Sequence, residues 1–368
     1  MQVISLRLYQ FRNFDLEEIE FCPGTNLLFG QNGQGKTNLL EAVYFLGYGR
    51  SFRTVTPKDC VRHGQQECRV DGLVAHGGLT RELCVSLFPR DDKRLFLHRK
   101  PAVLAEFIGN LHVLAFTQEH LKVVRGGPGE RRAFLDRAML AVFPGHMHRL
   151  AAYGRALLQR NRLLASSAAG RERIDLTLLE SWEEKLVQEG SRILFNRSLH
   201  VDDIRREFCN PFCEGENIEI YYKSTASPEG RNADQVEDEF RQRIRKARKL
   251  DERRGFTSVG PHRDDMVLLL NGKALADFGS AGQQRSCLLS LYFAQMEIHR
   301  KTCGFYPVFL MDDVEAELDD LRLQSFLDHL GLRTQTILTS AKGHVLPDLG
   351  INARKFRVHE GRIHAASG

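Results

Sequence analysis

Gly30-Gln31-Asn32-Gly33-Gln34-Gly35-Lys36-Thr37 constrains this chain more than any other stretch. Two glycines that bracket four residues and lead into Lys-Thr let the backbone close a tight ring whose N–H groups point inward at phosphate oxygens. In such a ring Lys36 reaches the outer phosphates and Thr37 offers a hydroxyl to Mg²⁺. The helix that begins there turns its positive end toward the same anion. The flanks agree with this reading. Thr25-Asn26-Leu27-Leu28-Phe29 is a short buried strand, and Thr37 to Phe45 carries apolar residues at helical spacing. The loop therefore predicts an α/β fold and a mononucleotide site.

A chain of 368 residues exceeds one average domain, so two core-bearing units or one split unit is expected. The eight cysteines, at 22, 60, 68, 84, 209, 213, 287 and 303, do not form the dense framework of a small secreted scaffold, and reduced thiols are the expectation. Cys209 and Cys213 are the one close pair, without a second ligand pair at zinc-site distance. The N-terminus lacks an apolar run after a basic start, and no stretch approaches a membrane span. A cytoplasmic protein with no membrane partner is expected.

Before and after the loop the pattern is that of strands. Val3 to Tyr9 and Leu16 to Phe21 read as a hairpin, with Arg12 and Asn13 in its connection either as neighbours of a nucleotide or as solvated surface groups. Cys68–Val74, Glu82–Phe88 and Arg94–His98 predict a small antiparallel sheet beside the loop. Asn110–Phe116 reads as a buried strand ending at Thr117-Gln118-Glu119.

From Pro128 the periodicity turns helical. His146–Ser166 and the return helix bearing Leu178, Leu179, Trp182, Leu186 and Ile193 predict an antiparallel hairpin, an arm or lid over residues 119–255 inserted between head segments 1–118 and 256–368. Residues 121–162 hold nine Lys or Arg against two acids, an excess of seven over a region of a chain whose total is +5. Arg131, Arg132, Arg149, Arg155, Arg160 and Arg162 are the candidates for contact with a nucleic-acid backbone. A second basic run, Arg241–Lys249, has Glu237 and Glu239 four residues before Arg241 and Arg243, the spacing of an ion-paired solvent face. No aromatic-interleaved stacking motif accompanies either run.

Strand character then returns, with a hairpin at Asn271-Gly272. Ser280-Ala281-Gly282-Gln283-Gln284-Arg285 opens an apolar helix, so Ser280, Gly282 and Gln283 stand at a second anion-binding helix start, or at a plain helix cap. Pro307-Val308-Phe309-Leu310-Met311-Asp312-Asp313 is a buried strand that delivers two acids at its carboxyl end. Beside the phosphate loop, Asp312 is the expected Mg²⁺ partner, and Asp313 is placed to polarise a water against the terminal phosphate. Glu317-Leu318-Asp319 follows, then a helix over Leu321–Leu330 and a last core strand ending Thr339-Ser340.

Taken in order, the loop, the Ser-x-Gly-Gln helix start, the strand ending Asp-Asp and the Leu-Asp turn resemble an ABC-type ATPase head. Lys36 and Ser280 lie 244 positions apart with a helical arm between, which resembles the SMC-like chromosome-maintenance and recombination branch. Phe11-Arg12-Asn13-Phe14, Ser51-Phe52-Arg53-Thr54, Gly127-Pro128 with Arg131-Arg132 and Phe134-Leu135-Asp136, and Gly260-Pro261-His262-Arg263-Asp264-Asp265 extend the likeness to the RecF family over essentially the whole chain.

The resemblance implies a DNA-binding recombination mediator of repair and replication that dimerises on ATP at single-strand gaps beside duplex. Ser280 and Gly282 of one copy would meet the phosphate held by Lys36 and Thr37 of the other, and Gln118 would be the glutamine that senses Mg²⁺ in such heads. The same resemblance implies RecO and RecR as partners and a link to SOS induction. Ala281 replaces the second glycine of transporter signatures and Asp313 replaces their glutamate, so slow hydrolysis suited to a timed switch is expected. The other readings open to the sequence are an ATP-gated DNA clamp with little hydrolysis and an ATPase head serving a nuclease.

Overall fold

The computed structural model describes residues 1–54, 56–88, 92–143, 145–170, 173–208, 217–226, 228–317, 324, 326–328, 330, 333–342 and 352–366, without the side chains of 118 and 141. The expected 318–319 turn, most of the 321–330 helix and the Cys209/Cys213 pair lie outside the described residues. The chain divides into two compact units, one of Met1–His120 with His299–Gly368 and one of Leu121–Ile298.

The first unit holds two six-stranded sheets. One is antiparallel and is built from β1 (Gln2–Tyr9), β2 (Leu16–Glu20), β4 (Cys68–His76), β5 (Leu79–Phe88), β6 (Asp92–Leu97) and β7 (Lys100–Ala102), in the order β2-β1-β4-β5-β6-β7. The other contains β3 (Thr25–Phe29), β8 (Val113–Phe116), β12 (Val308–Met311), β13 (Thr336–Ser340), β14 (Arg354–His359) and β15 (Arg362–Ala366). Its order is β15-β14-β3-β13-β12-β8, parallel from β14 to β8, with β15 antiparallel at the edge. The core strands are buried on both faces, which is why they read as continuous apolar runs.

Helix Lys36–Tyr48 contacts strands of both sheets, β4 and β5 in one and β8 and β13 in the other. From Leu39 to Tyr48 every residue is buried, the condition of a helix that is apolar all round. Close approach needs a gap in the sheet: a Cβ on Gly72 of β4 would stand 2.2 Å from Leu46 Cδ2.

Helices dominate the second unit: Pro128–Val142, His146–Ala168, Leu176–Glu207, Ala233–Arg254 and the greater part of Ala281–Cys303. The three longest of the 119–255 region pack on one another around Tyr153, Leu186, Ile193, Val236, Phe240 and Ile244. Helices His146–Ala168 and Leu176–Glu207 form the hairpin expected from their apolar spacing. A small sheet of β9 (Ile218–Lys223), β10 (Asp265–Leu270) and β11 (Lys273–Ala274) completes the unit. Residues 256–298 fall in this second unit.

Two motifs far apart in the chain lock together here. Arg131 makes a bidentate pair with Asp265, Arg132 donates to the Asp264 carbonyl, and Arg197 holds Asp136 and the Pro261 carbonyl. Asp264 is 1 % exposed and accepts from Tyr222, Ser224 and the Thr225 N–H.

Candidate nucleotide site

The parallel sheet delivers the carboxyl ends of β3, β13 and β12 side by side, the edge at which open α/β sheets bind ligands. The phosphate loop leaves β3. It is framed by neighbours that leave no room for a side chain at its last glycine: Gly35 has φ +117°, and a Cβ there would meet the Asn13 amide at 2.6 Å. Asn13 Nδ2 donates to the Gln34 carbonyl at 2.8 Å, and Asn38 Nδ2 donates to Asn13 Oδ1 at 2.8 Å. On the other side the Gln34 carbonyl accepts from the Gly361 N–H and Gln34 Oε1 from the Glu360 N–H, so the β14–β15 turn holds the loop as well.

Helix Lys36–Tyr48 starts without a side-chain cap and without an acid in its first turn, so nothing in the helix competes with an anion there. Gln31, Asn32 and Gly33 are exposed at the rim, and Gly30 and Gln34 are partly buried. Lys36 is 7 % exposed; its Nζ donates to the Gly30 and Gln31 carbonyls at 2.6 and 2.9 Å, lying across the loop. Burial pulls its pKa below the ordinary lysine value, against the pull of the Asp313, Asp312 and Glu315 carboxylates.

Thr37 and the acids of the β12 end meet directly. Thr37 Oγ1 lies 2.9 Å from both Asp312 carboxylate oxygens. Thr339, at the end of the intervening strand β13, donates to Asp312 Oδ1 at 2.7 Å and accepts the Asp313 N–H at 2.7 Å. Asp313 takes φ +52°, in the left-handed region. Burial raises its pKa, with the Asp312 and Glu315 charges adding and Lys36 opposing. A hydroxyl and a carboxylate at this separation, beside a lysine and uncapped amides, fit the oxygen-ligand preferences of Mg²⁺ with a bound triphosphate.

A supporting layer went unread in the sequence. Glu41, wholly buried on the helix, takes Arg12 in a bidentate pair at 2.5 and 2.8 Å and accepts Ser51 as well. Arg53 donates to Asn38 Oδ1 at 2.8 Å. Burial lowers the Arg12 pKa, but its bond and charge with Glu41 prevail and raise it. Glu315 accepts from Ser340 at 2.5 Å and from two N–H groups beyond it. A charged Glu41 within an otherwise apolar helical run was the visible signal.

In the second unit Ser280 and Gln283 cap their helix reciprocally. The Gln283 N–H donates to Ser280 Oγ at 3.2 Å, and the Ser280 N–H to Gln283 Oε1 at 2.7 Å. Gly282 is in the first turn, and the Gln118 side chain lies outside the described residues. Of the six arginines read as nucleic-acid contacts, Arg155 and Arg162 are exposed and Arg149 is partly so. Arg131 and Arg132 are engaged as described above.

Arg160 is a correction. It has no exposed surface, and it pairs with Glu183 at 2.9 Å and Asp251 at 2.8 Å and donates to Thr257 at 2.8 Å, so no phosphate reaches it. The Arg241–Lys249 run is ion-paired as its spacing suggested: Arg241 with Glu237 and Glu184, Arg243 with Glu239, Arg248 with Glu180 and Glu183.

The profile of the family described as RecF/RecN/SMC N terminal domain matches residues 2–363. The chain is 35% identical to the DNA replication and repair protein RecF of Exiguobacterium sp., over all of both chains. The chain belongs to the RecF family. A solved structure of the recombination mediator protein RecF-ATP in the RecFOR pathway superposes on this RecF-family chain with a TM-score of 0.89. It is 29% identical and covers 99% of this chain and 97% of its own. The Smc head domain of Pyrococcus furiosus, 15% identical at a TM-score of 0.57 over 99% of this chain and 96% of its own, shares the fold. The expected ABC-type ATPase head fold, and the RecF resemblance, are thereby established. No helix among the described residues is long and apolar enough to cross a membrane.

Proposed function

We propose that this chain is an ATP-dependent, DNA-binding recombination mediator of repair and replication, in which ATP closes a homodimer and slow hydrolysis opens it. The observation that carries the reading is the Thr37–Asp312–Thr339–Asp313 cluster beside Lys36, assembled from three strand ends. Gly30 to Gly35 would cradle the phosphates through backbone N–H groups, with Lys36 swinging from the loop carbonyls onto the outer oxygens. Thr37 and Asp312, with Gln118, would hold Mg²⁺, which when bound draws charge from the phosphate oxygens. Asp313 would orient the attacking water, its strained backbone fixed by Thr339.

Ser280, Gly282 and Gln283 of a second copy would complete the site, exchanging their mutual cap for phosphate contacts. The arginine-rich helices, through Arg155, Arg162 and Arg149, would take up single-stranded or gapped duplex DNA, with RecO and RecR as partners. Cytoplasmic location and a role in SOS induction belong to the same reading. Sedimentation with ATP and gapped DNA tests it: wild type shifts from monomer to dimer with ATP, and Lys36→Arg does not. A wild type that stays monomeric at saturating ATP and DNA rejects the closing dimer.

A clamp that hydrolyses little is favoured by the short side chain of Asp313, which holds an attacking water less well than a glutamate would. On that reading Asp313→Asn leaves DNA residence time unchanged, whereas a hydrolysis-released clamp is trapped on DNA by it.

A further inference from the structure

Two histidines and a cysteine meet in the first unit, apart from the nucleotide site. His112 stands just before β8, and His299 and Cys303 are four residues apart at the end of helix Ala281–Cys303, hence on one face. Their ligand-capable atoms all lie within 4.8 Å of one another.

His112 Nδ1 and His299 Nε2 face each other at 2.5 Å. The opposite nitrogens are committed: His112 Nε2 lies 3.0 Å from the Gly109 carbonyl and His299 Nδ1 2.8 Å from the Phe305 carbonyl. A carbonyl only accepts, so each ring donates its proton there, and both facing nitrogens carry lone pairs. Two lone pairs at this distance repel unless a proton or a cation lies between them. The Phe305 ring packs against both imidazoles and restricts water. Anchoring the remote nitrogen on a backbone carbonyl is how proteins orient histidine ligands toward a metal.

We propose that His112 Nδ1, His299 Nε2 and Cys303 Sγ form a His₂Cys site for Zn²⁺. A set of two imidazoles and one thiolate suits this borderline-soft ion and leaves a fourth position for water. Zn–N bonds of about 2.0–2.1 Å at a tetrahedral angle need the two nitrogens about 3.3 Å apart, so the rings part by under ~1 Å on loading. The Cys303 thiol loses its proton to solvent as the bond forms. The ion ties the helix end to the start of β8.

Titration of the metal-stripped full-length protein with Co²⁺ alone, followed by displacement with Zn²⁺, reads the site directly. Wild type is expected to take up one equivalent with tetrahedral ligand-field bands and a thiolate-to-cobalt charge-transfer band. Cys303→Ser loses the charge-transfer band, and His299→Gln weakens binding by about tenfold or more. The double variant Cys209→Ser/Cys213→Ser keeps the full spectrum. A wild type without the charge-transfer band, or a band that survives Cys303→Ser, overturns the proposal. The wild-type titration is independent of whether the variants fold.

Discussion

Asp313 carries the conflict that defines the site at the level of one residue. Partial burial and the neighbouring Asp312 and Glu315 charges oppose its ionised form, and Lys36 favours it. The folded protein therefore holds the Asp313 proton more tightly than the unfolded chain does. Stability from this group is full at acid pH and is lost as pH rises through the folded pKa. Asparagine cannot ionise and escapes that loss. Asp313→Asn is thus expected to raise the thermal midpoint of the nucleotide-free protein at neutral pH while cutting ATP turnover by about 10²–10⁴-fold. Differential scanning fluorimetry and steady-state hydrolysis check the two halves; a lower midpoint contradicts the electrostatic account. Gly35→Ala meets a backbone φ of +117° and the Asn13 amide at once. A cost of about 1–3 kcal/mol in stability is expected, with loss of nucleotide binding by fluorescence titration.

Between helices, the ion pairs sort by burial. Arg160 links His146–Ala168 to Leu176–Glu207 and Ala233–Arg254 through Glu183 and Asp251, so Arg160→Met takes the arginine from the buried Asp251 carboxylate and one of its two arginines from Glu183. Urea unfolding is expected to show a loss of about 3–5 kcal/mol. Arg243→Ala, whose pair is half exposed, is expected to cost at most about 1 kcal/mol. Arg155→Glu and Arg162→Glu touch no such network among the described residues. They are expected to weaken DNA binding and to flatten its salt dependence by about 0.9 per lost phosphate contact. An unchanged slope moves the DNA surface off this helix.

His200, buried on the long helix with Nε2 2.9 Å from Gln295 Oε1, has its pKa pushed down to about 4. Its neutral form is built into the fold. Stability is complete above the ordinary histidine range and falls as pH drops toward 4, by on the order of 3 kcal/mol. His200→Gln is expected to flatten that acid limb in urea titrations at stepped pH.

For the molecule as a whole, the proposal splits each nucleotide site between two copies, the phosphate loop from one and the Ser280 helix start from the other. Lys36→Arg and Ser280→Arg damage opposite halves. Each alone is expected to lack ATP-dependent dimers by sedimentation, whereas a mixture of the two forms one intact site and recovers a dimer population. Absence of complementation contradicts a shared site.

The amino-acid sequence determined what is local. Glycine spacing before Lys36-Thr37, apolar runs ending in Asp312-Asp313, the helical periodicity of the hairpin and the charge spacing of Arg241–Lys249 each depend on neighbours a few residues away. Only the tertiary structure decided which polar groups meet across long separations. Arg160 looked like its exposed neighbours Arg155 and Arg162, yet it is buried, because its partners stand 23 and 91 positions away. Glu41 finds Arg12 and Ser51, Thr339 bridges the two acids, and Arg131 finds Asp265 for the same reason. Periodicity tells a side chain which face it is on; only packing tells a buried charge what compensates it.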